Sequence, residues 1–400
     1  MKKLSLPKIN LAFFNHWLMF IFVLLLPTQL GRHFFLSFSY LSGLRVDYLA
    51  PTVYLIDIVA IALAFLNLKL IIGFIRKKSI LILLFVLLVN VLFSIVPIIS
   101  MYRYIRIVES LIILAIFSKY KDRKLIGLGF LMTTTIEVFL MVVQFITKRS
   151  LGGFFYFLGE RYFTLSTPSI AKGSLNGTEI LRPYGTFSHP NSMAGFYLVV
   201  YFFFLTNKKF RYPYLKNLLL FLSTLLIFFS FSRVAIIVYI FLNLAYFFNR
   251  GLKNVCRICV ISKLLMITVV GAMFIQIKGD VSTLTKRLSL TGNALKILWE
   301  RPIFGTGLNT YLIAQNNFSS KFYGLINQPV HNIFLFFLCE VGVLLSVIIF
   351  FVFFEKIKKF FLIAPYVFLA IFITGMFDHY WLTLPQNWFL LSFIISQVLY

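Results

Sequence analysis

The stretch RPYGTFSHPN, Arg182 to Asn191, puts a guanidinium, an imidazole and a carboxamide between long runs of Phe, Leu and Ile. Lipid-facing segments exclude such groups, because a buried charge or unpaired polar group costs several kcal/mol. The stretch must face water or line a wet cavity. Pro183 and Pro190 disfavour helix, and Gly185 permits a tight turn. Asn191 or Ser192 can cap a following helix. A plain turn and cap accounts for the Pro, Gly and Asn but leaves Arg182 and His189 without a reason. A planar guanidinium aimed into a groove suits phosphate or pyrophosphate.

Three further stretches could join it. In FSFSRVA, Arg233 stands between two apolar runs; it either snorkels at an external turn or faces the bundle interior as a ligand. In NALKILWERPIFGTGLNTY, Asn293 to Tyr311, the apolar residues before Pro302 predict an amphipathic helix in the interface with Trp299 at headgroup depth. The turn Gly305-Thr306-Gly307 either presents N–H groups to a phosphate or is a simple loop turn. In QPVHNIFLFFLCEVG, His331 and Asn332 open an apolar run. Asn332 is a candidate cap, and a neutral His331 at a wet mouth can accept a proton near pH 7. Glu340, nine residues on, falls on the opposite face of a continuous helix and reads as a packing or polar-network residue. External carboxylates (Asp47, Glu160, Glu179, Asp280, Glu300, Asp378) form no cluster in sequence, so no required metal is predicted. Asp57, Glu109 and Glu137 lie inside apolar runs with no partner evident.

The elements that must position these groups are membrane helices. Of 400 residues, 60% are hydrophobic and 12% charged, against about 25% charged in a soluble domain. Apolar runs recur throughout, predicting an all-α polytopic transmembrane bundle of about twelve spans (ten to twelve). They are placed at 12–30, 50–68, 79–98, 104–118, 125–146, 192–206, 217–231, 234–248, 260–277, 331–354, 360–377 and 387–400. The pieces 1–10, 69–78, 119–124, 207–216, 249–263 and 355–359 then hold about 22 of the 38 Lys and Arg, which puts both termini in the cytoplasm. The same rule explains the net charge of +26 without nucleic acid. The chain 1–400 reads as one integral membrane domain. Two external loops, 147–191 and the large 278–330 with its short amphipathic helices, are too long to be turns, and long ordered loops are usually functional. Four of five histidines (His33, His189, His331, His379) fall on that side. Lys2, Lys3 and Lys8 precede an apolar segment without a cleavage-like site, and the Cys256–Cys259 pair lacks a second pair of metal ligands.

In this order, R-x-x-G-T-F-x-H-P-N before a span, S-R at the next external turn, P-x-x-G-x-G in the large loop and H-N opening the next helix resemble the O-antigen ligase and O-antigen polymerase superfamily of bacterial membrane glycosyltransferases. The likeness covers roughly 180–350, and MFDHYWLTLPQNW resembles the polar external turn of many relatives. It implies an inverting, metal-independent transfer without a cofactor on the external face of the cytoplasmic membrane. The donor would be a glycan on undecaprenyl pyrophosphate, and the acceptor a sugar or a lipid-linked glycan. Carried over by motif, Arg182 and Arg233 bind the pyrophosphate and His331 is the base or acceptor-positioning group. His189, Asn191, Gly305, Gly307 and Asn332 support them. Relatives often carry Gly-Arg where this chain has Gly292-Asn293; either Arg287 substitutes from earlier in the helix or the site uses fewer arginines.

Two other readings compete. A transporter or flippase of lipid-linked oligosaccharides would place charges deep in the bundle and show related halves. A non-catalytic scaffold would tolerate loss of Arg182 and His331.

Overall fold

The computed structural model describes residues 11–175, 178–250, 268, 281–318 and 328–400. The expected span 260–277, the Cys256–Cys259 pair, Lys2, Lys3, Lys8 and parts of the 278–330 loop lie outside these residues. The described chain is mostly helical. Its apolar runs become α1 (Leu11–Leu25), α2 (Leu55–Leu66), α3 (Leu68–Ile75), α4 (Lys78–Leu92), α5 (Pro97–Phe117) and α6 (Arg123–Thr147). They continue as α7 (Pro190–Thr206), α8 (Pro213–Phe229) and α9 (Arg233–Arg250). After the large loop come α10 (Val281–Glu300), α11 (Tyr311–Gln315), α12 (Ile333–Val341), α13 (Val343–Ile363), α14 (Pro365–Phe377), α15 (Tyr380–Thr383) and α16 (Pro385–Leu399).

Local chemistry sets the helix starts. Pro97, Pro190, Pro213, Pro365 and Pro385 each open a helix, where the missing N–H costs nothing and the fixed φ is already helical. Asp122 caps α6 by accepting the Leu125 N–H at 2.9 Å. The all-α expectation needs one amendment: the α1–α2 and α6–α7 connections carry three two-stranded antiparallel pairs, among them Lys172–Leu175 with Thr178–Leu181 directly before the Arg182 stretch.

Among the described residues, helix α6 alone is long and apolar enough to cross a membrane unaided. Two predicted spans are broken instead of continuous. The run at 50–68 bends by 90° between α2 and α3, so part of the expected 69–78 connection is helical. The run at 331–354 bends by 115° at Gly342, and the expected 355–359 connection lies inside α13. Gly342 has φ +79°, a conformation that favours glycine. The polar groups bared by this break are satisfied by the 302–308 segment. Thr306 N donates to Cys339 O (2.8 Å), Gly307 N to Glu340 O (2.9 Å) and Val343 N to Pro302 O (2.7 Å). Asn90 on α4 closes the seam, donating to Phe304 O and Glu340 O and accepting from Leu308 N.

Helix α7 is buried on nearly every side, packed by α8, α9, α14 and α16. A helix apolar all round belongs at a bundle centre. Gly195 allows that packing, since a β-carbon there would lie 2.5 Å from Cζ of Tyr380. The site is therefore carried on the N-terminal end of the most enclosed helix.

Candidate active site

The RPYGTF turn is shaped by two polar side chains of α6. Glu137 accepts the Thr186 backbone N–H at 3.0 Å and the Thr186 hydroxyl in a short hydrogen bond. Gln144, two turns on, accepts the Tyr184 and Gly185 N–H groups, both at 2.9 Å, and donates to Gly185 O and Glu160 Oε1. Glu160 in turn accepts the Leu151 and Gly152 N–H groups. A non-helical strand beside an apolar helix needs such partners for every backbone group. Glu137 is thus a structural clamp, a role the sequence left open.

That turn delivers Arg182, and two of its five N–H donors are used within the described residues. Nε donates to Ser230 O at 2.9 Å and Nη2 to Asn191 Oδ1 at 2.6 Å. Asn191 Nδ2 donates to Asp378 Oδ2 at 3.0 Å. Asn191 is therefore a bridge, and the capping expected of it falls to His189, whose Nδ1 accepts the Asn191 N–H at 3.1 Å. Asn332 does cap as expected: its Oδ1 accepts from Phe334 N and Leu335 N, both at 3.0 Å.

Asp378 brings the histidines together. The rings of His331 and His379 meet edge to face with centroids 5.4 Å apart. His379 Nδ1 pairs with Thr383 Oγ1 at 2.9 Å, and its Nε2 is 4.0 Å from Asp378 Oδ1. His331 Nδ1 is buried without a protein partner among the described residues. Burial pushes all three imidazoles down: His189 to about 3, with Arg182 adding to the effect, His379 to about 4, and His331 below its ordinary value. Burial opposes the Asp378 anion, but the neighbouring His379, His331 and His189 and the Asn191 hydrogen bond hold its carboxyl below the usual range. At neutral pH the imidazoles are neutral and Asp378 is the anion.

Arginines surround this cluster. Burial lowers Arg182 to about 10, and the charges of Arg233 and Arg287 reach it. Arg287 is half-buried on α10; its Nη1 donates to Phe377 O at 3.3 Å, next to Asp378, and its charge also reaches His331 and His379. Arg233 opens α9 as an exposed residue instead of one enclosed in the bundle. Arg182, His189, Asn191, Arg287, His331 and Asn332 thus gather in one neighbourhood. Gly305 and Gly307 do not serve as a phosphate cradle: the turn's Thr306 and Gly307 N–H groups bind the end of α12, and Gly307 (φ +102°) lies tight against Ser94.

Sequence reasoning omitted Asp378, His379 and Tyr48 from the site. Asp378 and His379 lie in the polar MFDHYW turn, which was a usable signal. Tyr48 had none: from the connection between α1 and α2 it meets His379 edge to face, ring centroids 5.8 Å apart. Inside the bundle, Asp57 and Glu109 both pair with Arg106, at 2.7 and 2.6 Å. Glu340 faces Arg103 and the Asn309 and Tyr311 amides, away from any acid–base pairing with His331.

Chemically the site offers guanidiniums for an anion, neutral imidazoles for a proton and one carboxylate to stabilise an imidazolium. Ligand atoms of His331, Asp378 and His379 also lie within 4.8 Å of one another, close enough to hold a cation. This grouping was not foreseen from the scattered external carboxylates. No curated protein matches the chain. Residues 218–350, which include Arg233, Arg287, His331 and Asn332, match the family model described as O-Antigen ligase. That match, over residues 218–350, bears out the resemblance to the O-antigen ligase and polymerase superfamily and supports a glycosyltransferase-like role related to cell-surface polysaccharide.

Proposed function

We propose that the protein transfers a glycan from undecaprenyl pyrophosphate to an acceptor sugar or lipid-linked glycan, with inversion, on the external face of the bacterial cytoplasmic membrane. The observation that carries this is the linkage of Arg182 through Asn191 to Asp378, beside His331 and His379. It sets a cation, with donors unused among the described residues, next to a base that is neutral at pH 7.

In this reading the diphosphate lies against Arg182, with Arg233 and Arg287 adding positive charge. The acceptor hydroxyl donates to His331. Its oxygen forms a bond to the anomeric carbon while the bond from that carbon to the phosphate oxygen breaks. The electron pair leaves with the diphosphate and the proton passes to His331. Asp378 stabilises the imidazolium so formed. Preorganised guanidiniums stabilise the leaving group, each on the scale of about 3 kcal/mol for a lost oxyanion donor. The arginines supply the charge neutralisation, so the transfer runs without a metal. The proposed topology has about twelve spans with both termini cytoplasmic, in which the shorter apolar helices serve as spans with interfacial ends.

The test is purified protein in lipid nanodiscs with a lipid-pyrophosphate glycan and candidate acceptors. The reading expects free undecaprenyl pyrophosphate together with an elongated acceptor of inverted anomeric configuration. Bound donor with no turnover on any acceptor, and movement of the donor across vesicles, would establish transport instead.

A further inference from the structure

Asn191 joins the Arg182 side of the site to its Asp378 and histidine side through hydrogen bonds at both ends of its carboxamide. An Arg only donates and a carboxylate only accepts, so the carboxamide has a single possible orientation, oxygen to Arg182 and nitrogen to Asp378. Its backbone is fixed as well, because it follows Pro190 in the first turn of α7 and its N–H is held by His189. Neighbouring opposite charges in a low-dielectric site attract strongly, and a direct Arg182–Asp378 pair would be bidentate. Such a pair would cancel the charge that an anionic ligand needs and would draw the carboxylate away from His331 and His379.

We propose that Asn191 is a positioning residue that acts as a neutral spacer, keeping Arg182 and Asp378 hydrogen-bonded but unpaired as ions, so that Arg182 keeps its charge for a diphosphate. The inference rests on the proposed function and adds to it a reason for an uncharged amide at this position. The other groups facing Asp378 include His189, His331, His379, Tyr48 and Tyr380, and none of them lies between it and Arg182 in the hydrogen-bond chain.

A polarity swap separates this role from a merely structural one. The substitution Asn191→Asp pairs directly with Arg182 and repels Asp378. The double variant Asn191→Asp/Asp378→Asn keeps the bond donated by Arg182 and restores the 191–378 bond in the opposite direction, the amide at 378 now donating, but leaves a carboxylate against Arg182. The readout is the Kd of undecaprenyl pyrophosphate for the full-length protein in detergent, alongside its thermal melting midpoint. Loss of one charge-assisted contact predicts roughly 10–150-fold weaker binding in both variants. The double variant should melt like the wild type. A double variant that binds within about twofold of the wild type would show that only the hydrogen-bond frame matters and would overturn the proposal. If Asn191→Asp does not fold, the double variant still decides. Arg182→Ala serves as the control for the underlying reading: unchanged binding there would remove the diphosphate from this site altogether, a result distinct from failure of the spacer.

Discussion

Gly185 closes over Glu137: with φ +57°, it leaves no room for a β-carbon above the carboxylate that also binds Thr186. Any side chain at Gly185 would both strain the backbone and displace the clamp. Gly185→Ala is therefore expected to lower the melting midpoint and the yield of folded protein. Glu137→Ala, which leaves the Thr186 N–H buried and unsatisfied, should cost about 1–3 kcal/mol. Thermal melts in detergent check both. Unchanged melting of Glu137→Ala would mean that the turn is held by Gln144 alone.

Arg182→Lys keeps the charge but loses the separate nitrogens that bond Ser230 and Asn191 while leaving further donors for a diphosphate. A point charge on a flexible stem does not replace a planar fork. Transfer should fall by about tenfold or more, with the donor KM raised. Full activity would indicate that Arg182 contributes charge only.

His331→Ala should reduce turnover by about 10²–10⁴-fold, the scale of a lost general base, while donor binding persists. Equal loss of binding and turnover would move His331 from the acceptor to the donor side.

The pH profile follows from the lowered imidazoles. A base whose pKa lies below its ordinary value stays neutral further into acid, so the acid limb of turnover should have its midpoint below 6.5. Asp378 raises the His331 pKa, so Asp378→Asn should shift that limb to still lower pH as it lowers the maximum rate. Stability has the same sign. The unfolded chain binds more protons than the folded one between pH 6.5 and about 3–4, so stability is present above that window and is lost on acidification through it. An acid limb above 6.5, or one unmoved by Asp378→Asn, contradicts this assignment.

Chelation tests the charge source. With arginines neutralising the diphosphate, an excess of chelator should leave the transfer rate unchanged. Abolished activity that returns with added Mg²⁺ or Zn²⁺ would assign the His331, Asp378 and His379 grouping to a metal.

The helices were legible because apolar runs and opening prolines are local signals. The breaks at Asn67 and Gly342 were not. Hydropathy runs straight across both, and what stabilises the second is distant: Asn90 and the 302–308 segment supply the partners. Within the site, Arg182, His189, His331 and Asn332 announced themselves as polar residues at the ends of apolar runs. The function of Asn191 did not, because a capping asparagine and a bridging one look alike until Asp378 arrives from the far end of the chain. Glu137 likewise needed its partner at Thr186 before its burial made sense.

The central claim is that the diphosphate sits on Arg182 with the acceptor approaching His331. Electron cryomicroscopy of the protein bound to undecaprenyl pyrophosphate tests it most directly. The account predicts diphosphate oxygens about 3 Å from the Arg182 guanidinium, on the face not taken by Asn191, with His331 lining the same chamber. Diphosphate density in another compartment, with Arg182 still engaged only by Ser230 and Asn191, would contradict it.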